Sequence, residues 1–256
     1  MRVIPIANQA GSAGKTSTAV TLAALLVADG HRVLLIDADG QANASVWLEV
    51  DTPAATTGDV LHQRVPITDA IVPAGLEGLS VLAATQALDA DAVNLARALG
   101  GEQRLRLALD SLPADDRPDV VLIDCPGAMS ILTIAALVAA TGVITVAQPT
   151  IKELAGVPKL EATVAEVAQA YRPGLVLGAV IPCIVPPSSS GALYHEALAL
   201  LQSSYGDLVT PPVRRSVRIP EAYAQRVPLP VHAPRESVTD DYRQVAKHLT
   251  AAGILP

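Results

Sequence analysis

Six short runs of Val, Ile, Leu and Ala, at 3–7, 33–36, 79–83, 120–123, 143–147 and 175–181, recur along the 256 residues, each apolar on both sides of the strand alternation. Strands buried on both faces need cover on both faces, and a parallel sheet between two helix layers provides it. Segments with helical spacing lie between the runs at 15–29, 102–112, 131–140, 152–171 and 191–204. A last one at 237–252 sets Val238, Tyr242, Val245, Ala246 and Leu249 on one side, with Ser237 placed as its cap. The alternation predicts a three-layer α/β fold, a mostly parallel twisted sheet with helices on both faces and right-handed crossovers. Residues 51–78 and 182–190, rich in Pro, Thr, Gly or Ser, read as irregular surface connections.

Half of the residues are hydrophobic and 17% are charged, which suits one compact domain over 1–256 and excludes disorder and fibre. Residues 125–151 contain no charge, but Pro and Gly divide them into a helical piece at 131–140 and a strand at 143–147. Both are shorter than the roughly 20 residues that a bilayer span requires, so the stretch reads as buried core. The two cysteines, Cys125 and Cys183, lie far apart without zinc-like spacing, and the opening MRVIPIANQA lacks a secretory pattern. A cytoplasmic, reducing location is expected. The absence of Phe, the single Trp and the excess of Arg over Lys read as coding bias.

Directly after the first run comes Asn8-Gln9-Ala10-Gly11-Ser12-Ala13-Gly14-Lys15-Thr16-Ser17, which runs straight into an Ala/Leu-rich helix. Small residues let successive N–H groups turn inward as an anion nest, the helix start adds partial positive charge, and Lys15 adds a full one. Gly11, Ser12, Ala13, Gly14, Lys15, Thr16 and Ser17 are therefore the expected phosphate cradle, with the Lys15 ammonium on the β- and γ-phosphates and the Thr16 hydroxyl on Mg²⁺. The strict P-loop pattern has Gly where this chain has Gln9, so the match is to the Gly-Lys-Thr half and its strand-to-helix setting. Two other runs end in acid, Asp37-Ala38-Asp39 and Asp124-Cys125-Pro126-Gly127. Parallel strands bring these ends to the same edge as the loop, so Asp37, Asp39 and Asp124 converge on metal and γ-phosphate. A lone Asp37 would serve equally well as a cap or turn former.

At this point the chain resembles the ParA/MinD family of deviant Walker ATPases, and within it the small ParA-type DNA partition ATPases. The segments that carry the likeness are ANQAGSAGKTSTAVTLAALLVADGHRVLLIDADGQANAS (7–45), DVVLIDCPGAMSILTIAAL (119–137), VAQPTIKELAGV (146–157) and RRSVRIPEAYAQRVPLP (214–230). The resemblance implies that Asp39 positions the attacking water, Asp124 is the Walker B carboxylate and Thr16 is a metal ligand. It also implies that 212–216, with Val213 and Arg214, pack against the adenine. One departure matters: the family's signature lysine, which reaches the partner's phosphates across a dimer, is Ala10 here, and its second glycine is Ser12. Slow hydrolysis, a substitute cation or a switch that barely turns over all remain open. Lys152 is a candidate substitute; the alternative is a solvated helix end.

Residues 211–236 hold Arg214, Arg215, Arg218, Arg226 and Arg235 against two acids, a local balance of +3 in a chain of -7. Such a patch fits salt-sensitive contact with a phosphate backbone, without base readout. Arg214, Arg215, Arg218 and Arg226 are the expected DNA contacts, and by resemblance Arg218 falls on a DNA-contacting arginine of the family. The alternative is that Arg214 or Arg215 pairs with carboxylates or touches nucleotide. The resemblance implies an ATP- and Mg²⁺-dependent homodimer that binds double-stranded DNA non-specifically on the nucleoid. A ParB-like centromere-binding partner would stimulate hydrolysis and release, moving plasmid or chromosome. A MinD-like ATPase cycling on a membrane is the rival, but it needs a basic amphipathic tail, whereas VAKHLTAAGILP has one lysine and no aromatic residue. A small-molecule kinase or synthetase using the same loop is a further reading.

Overall fold

Alternate residues of each central strand enter two different cores. The computed structural model describes residues 1–9, 13–187 and 191–256. Its strands are β1 (Arg2–Ala7), β2 (Val33–Asp37), β3 (Ile71–Pro73), β4 (Leu79–Leu82), β5 (Val120–Asp124), β6 (Val143–Ala147) and β7 (Leu177–Pro182). Among the described residues they form one sheet in the order β3-β4-β2-β5-β1-β6-β7, parallel throughout except for β3 against β4. Leu34 and Ile36 of β2, with Val121 and Ile123 of β5, enter one cluster; Val33, Leu35, Val120 and Leu122 enter the other. This period-two division is why those runs carry no polar side.

The helices Lys15–Ala28, Asn43–Trp47, Arg218–Ala224 and Ser237–Ala251 cover the second of these faces, with Leu22, Trp47, Ala222 and Tyr242 buried in it. Leu88–Leu95, Arg104–Asp110, Ile131–Ala139, Gly156–Ala170 and Ala192–Tyr205 cover the first. The three-layer expectation therefore holds, and strands β2, β4, β5 and β6 lie within a residue or so of their sequence bounds. Beyond β7 the chain adds single parallel bridges, Val180 with Val209 and Val185 with Arg214.

Four expectations need correction. Residues 51–78 are not an irregular connection: they hold the helices Thr57–Leu61 and Ile67–Ala70 and the antiparallel strand β3. A reciprocal pair between Thr56 and Asp59 caps the first of these helices. The helix expected over 152–171 is two helices, Ile151–Leu154, capped by the Thr150 hydroxyl, and Gly156–Ala170. Ser237 is the first residue of the last helix and not its cap, a place that Glu236 takes without a side-chain bond. Finally, Asn43–Trp47, Leu88–Leu95, Arg218–Ala224 and Leu229–His232 are helices that spacing alone did not show.

Candidate nucleotide site

The phosphate loop leaves the carboxyl end of β1, and the register places the acids beside it. Asp124 stands opposite Ile6 on one side and Asp37 on the other. Alternation puts Asp37 in line with Val33 and Leu35, and Asp124 with Val120 and Leu122, so both carboxylates lie on the face covered by Lys15–Ala28. Gly14 enters that helix at φ 92°, a left-handed conformation that favours glycine. A Cβ there would only come into ordinary contact with Ser17 Oγ at 3.4 Å and the Cys183 side chain at 3.5 Å, so the backbone conformation is what calls for glycine. The loop thus sits directly on the end of β7. Gly11 and Ser12, like Ala10, lie outside the described residues.

A cleft of about 580 Å³ opens over this edge. It is lined by Ala13, Gly14, Lys15, Thr16 and Ser17, by Asp39, Gln41, Asn43 and Gly127, and by Trp47, Ile184, Ile219, Pro220 and Tyr223. The lining therefore combines a cationic, N–H-rich set with a largely apolar set, the two halves that a nucleoside polyphosphate needs.

The acids at the edge have different environments. Asp37 is fully buried and already engaged: Oδ1 accepts the Asp39 N–H at 3.1 Å, and Oδ2 accepts the Ser45 N–H and hydroxyl at 2.9 and 2.7 Å. Burial nonetheless pushes its pKa up to about 6, against the pull of those hydrogen bonds. Asp124 is also fully buried, yet neither of its oxygens has a hydrogen-bond partner among the described residues. Burial, then the Asp37 charge, raise its pKa well above the usual range, and the nearby Thr16 hydroxyl and Lys15 ammonium pull the other way. Asp39 faces the cleft, with one oxygen accepting the Gln41 N–H at 3.0 Å.

An orphaned buried carboxylate beside a hydroxyl and the phosphate end of a cleft is a fitting place for a hard divalent cation. Among the described residues no group of three or more His, Cys, Asp or Glu could hold a metal unaided. Magnesium suits such a site because it usually takes one or two carboxylates and completes its shell with phosphate and water. Thr16 and Asp124 are the residues that fit it. Asp37, whose oxygens are taken by Ser45 and Asp39, fixes the turn that carries Asp39.

Two expected nucleotide residues lie elsewhere. Val213 is 1% exposed, its N–H on the Pro182 carbonyl and its carbonyl on the Val185 N–H, and it does not line the cleft. Arg214 lines a separate cleft of about 420 Å³ and grips Asp241 with Nε at 2.6 Å and an outer guanidinium nitrogen at 2.8 Å. Sequence reasoning missed Gln41, Asn43, Trp47, Ile184, Ile219, Pro220 and Tyr223. The one usable signal was a lone Trp eight residues past Asp39.

The basic segment is more neutralised than its composition suggests. Arg218 pairs with Glu221 at 2.8 Å and Glu236 at 3.3 Å, the two acids of 211–236, and Arg226 pairs with Asp51 at 3.2 Å. Among the described residues Arg215 and Arg235 make no ion pair. Lys152 is exposed in the helix Ile151–Leu154, next to Glu153. Burial lifts the Glu153 pKa, and the charges of Lys152 and Lys15 offset this.

A parallel sheet, a small-residue loop opening onto a helix, and strand-end carboxylates at the same edge define a P-loop nucleoside triphosphatase. The family model described as AAA domain matches residues 1–177. The chromosome partitioning protein ParA of Caulobacter vibrioides is 36% identical over 225 residues, 87% of this chain and 84% of that protein. The chromosome-partitioning ATPase Soj of Thermus thermophilus is 35% identical over 252 residues, 98% of this chain and 96% of its own. Among solved structures, cobyrinic acid a,c-diamide synthase from Mycobacterium smegmatis with bound ADP and magnesium superposes with a TM-score of 0.81 at 30% identity, covering 98% of this chain and 94% of that one. The chain belongs to the ParA/MinD family of P-loop ATPases and is related to its partition ATPases. Among the described residues no helix is long and apolar enough to cross a membrane.

Proposed function

We propose that the chain is a ParA-like partition ATPase in which ATP-dependent dimerisation switches on non-specific DNA binding and hydrolysis, stimulated by a centromere-binding partner, releases it. The observation that carries this reading is the meeting of Lys15, Thr16 and Asp39 with the unpartnered carboxylate of Asp124 at one end of a nucleotide-sized cleft. Lys15 and the loop N–H groups neutralise the triphosphate and fix its orientation. Asp39, held by Asp37 through its own N–H, accepts from the attacking water and aligns it. Magnesium held by Thr16 and Asp124 would supply Lewis-acid neutralisation of the phosphate oxygens.

The DNA step asks more of the arginines than composition implied. Arg215 and Arg235 offer their charge directly, whereas Arg218 and Arg226 exchange a carboxylate for a phosphate. Such exchange is inexpensive at exposed pairs, which are worth about 0–1 kcal/mol. On the closing helix Ser237–Ala251, Val238, Tyr242, Val245 and Leu249 are committed to the core, which disfavours the membrane-cycling alternative.

DNA retention with ATP, with ADP and without nucleotide tests the reading. Retention with Mg-ATP alone, together with a doubled particle mass in sedimentation, is the expected result. Equal retention in the three conditions would falsify the switch. The likeness to a diamide synthase gives a small-molecule synthetase as the second reading; products of ATP other than ADP and phosphate would favour it.

A further inference from the structure

Two short helices and the residues just beyond them are joined beside the phosphate loop by contacts of four kinds. Asn43–Trp47 starts just after the Asp39 turn and hangs from Asp37, because the Ser45 N–H and hydroxyl donate to Asp37 Oδ2 while Asp37 Oδ1 holds the Asp39 N–H. Its far end meets Arg218–Ala224. The Trp47 and Tyr223 rings stand edge to face, centroids 5.4 Å apart and planes at 88°. Trp47 Nε1 donates to the Val227 carbonyl at 2.9 Å, and the Tyr223 hydroxyl donates to Asn43 Oδ1 at 3.4 Å. Arg226 then reaches back to Asp51 at 3.2 Å.

Helices of five and seven residues have no stability of their own and take their position from what holds them. An edge-to-face ring pair is directional, and a close-packed joint transmits a shift instead of absorbing it. Trp47 is 2% exposed, and both rings line the cleft that contains Lys15 and Asp39. We propose that Trp47 and Tyr223 are positioning residues, a relay through which a nucleoside triphosphate at Asp39 sets the placement of the helix that carries Arg218, and of Arg226 behind it, toward an anionic polymer. The relay rests on the DNA-switch reading above. It makes the arginine surface of each subunit a readout of its own Asp37–Asp39 turn.

Trp47 is the only tryptophan of the chain, so its emission reports on the joint directly. The experiment compares emission at saturating Mg-ATP and Mg-ADP in the wild type and in Ser45→Ala, with equilibrium dialysis confirming that both nucleotides bind. The ratio of DNA retention in ATP to that in ADP is measured beside it for the wild type, Tyr223→Leu and Tyr223→Phe, again at saturation so that affinity does not enter. Emission should differ between the two nucleotides in the wild type and lose that difference in Ser45→Ala. The retention ratio should fall about two- to tenfold in Tyr223→Leu, the range given by loss of a ring pair, and stay near wild type in Tyr223→Phe. Ser45 also accepts the Ala84 N–H at 2.9 Å, so the Tyr223 variants decide the matter if Ser45→Ala unfolds. Emission blind to nucleotide while retention switches normally overturns the relay alone, as does an unchanged ratio in Tyr223→Leu. Equal wild-type retention in ATP and ADP overturns the switch reading and the arginine readout together, while emission still judges the joint.

Discussion

Asp37 and Asp124 are register partners on neighbouring parallel strands, both fully buried on the same face of the sheet. One is held by its own chain, through Ser45 and Asp39, and the other has no hydrogen-bond partner at ordinary distance among the described residues, only the nearby Thr16 hydroxyl and Lys15 ammonium. Two acids at equivalent strand ends thus separate into a fixed post and a carboxylate left open for a ligand.

Without metal and nucleotide, stability should fall as pH rises from about 4 to about 6. The native chain holds a proton on Asp37, its pKa raised from 3.8 to about 6, that the unfolded chain releases, so raising pH through this window favours unfolding. This contribution is fully present below the unfolded pKa and lost as pH rises through the folded one, and the raised pKa of Asp124 acts in the same direction. Calorimetry in chelator should show this slope in the wild type and a flatter one in Asp37→Asn. Identical slopes would remove Asp37 as the cause.

Lys15→Ala and Asp39→Ala should fail in opposite ways. Removing the ammonium takes away charge-assisted contacts to phosphate and weakens ATP binding about 10- to 100-fold. Removing the Asp39 carboxylate leaves binding intact and lowers hydrolysis by about 10²–10⁴, the range for a positioned base. On immobilised DNA, Lys15→Ala is not retained with ATP, whereas Asp39→Ala is retained and does not release. Prompt release by Asp39→Ala would count against its assigned role.

Adjacent arginines should separate structure from DNA contact. Arg214→Ala strips two hydrogen bonds from Asp241, which is 6% exposed, and should cost about 1–3 kcal/mol, lowering Tm by several degrees. Arg215 is exposed and without an ion pair among the described residues, so Arg215→Ala should leave stability within about 0.5 kcal/mol. It should weaken DNA retention and reduce the salt slope by about 1. Salt titrations and melting curves on the two variants read both effects, and a reversed pattern would exchange the roles.

Restoring the missing cation should speed turnover. Ala10→Lys is expected to raise the rate of ATP hydrolysis at least tenfold, since a cation supplied across an interface is worth about 10³ or more in related chemistry. Lys152→Ala separates the substitute-cation proposal from a solvated helix end. A drop in rate without loss of ATP binding supports the first, and an unchanged rate the second.

The sheet was legible because its strands advertise themselves. Runs such as 120–123 are apolar on both faces, and the acids that follow them fall at one edge by parallel topology alone. What escaped was structure that exists only through contact. Ile71-Val72-Pro73 is a strand because it pairs with β4, and no periodicity fits into three residues. Asn43–Trp47 is a helix because Asp37 holds Ser45, which spacing does not encode. Thr56 and Asp59 did carry a capping signal that could have been read. Lys15, Thr16 and Asp39, which line the cleft, and Asp124, which lies beside Thr16 and Lys15, were expected together from chemistry and strand position. Val213 and Arg214 were placed by analogy along the chain, and the chain turns so that one is core and the other clasps Asp241. The alternative that Arg214 pairs with a carboxylate holds, but its partner Asp241, like the Asp51 that pairs with Arg226, lies outside the segment over which the charge was summed.

The margins of the sheet bear on crowding. β3 is three residues long and ends in Pro73, which has no N–H to offer, and the far margin at β7 is bridged at Val180 by Val209. Among the described residues neither side presents a long open ladder onto which another copy could stitch its backbone. On the proposed reading, molecules gathered densely on one polymer would meet through side chains alone, and a crowd held that way could disperse once its fuel is spent.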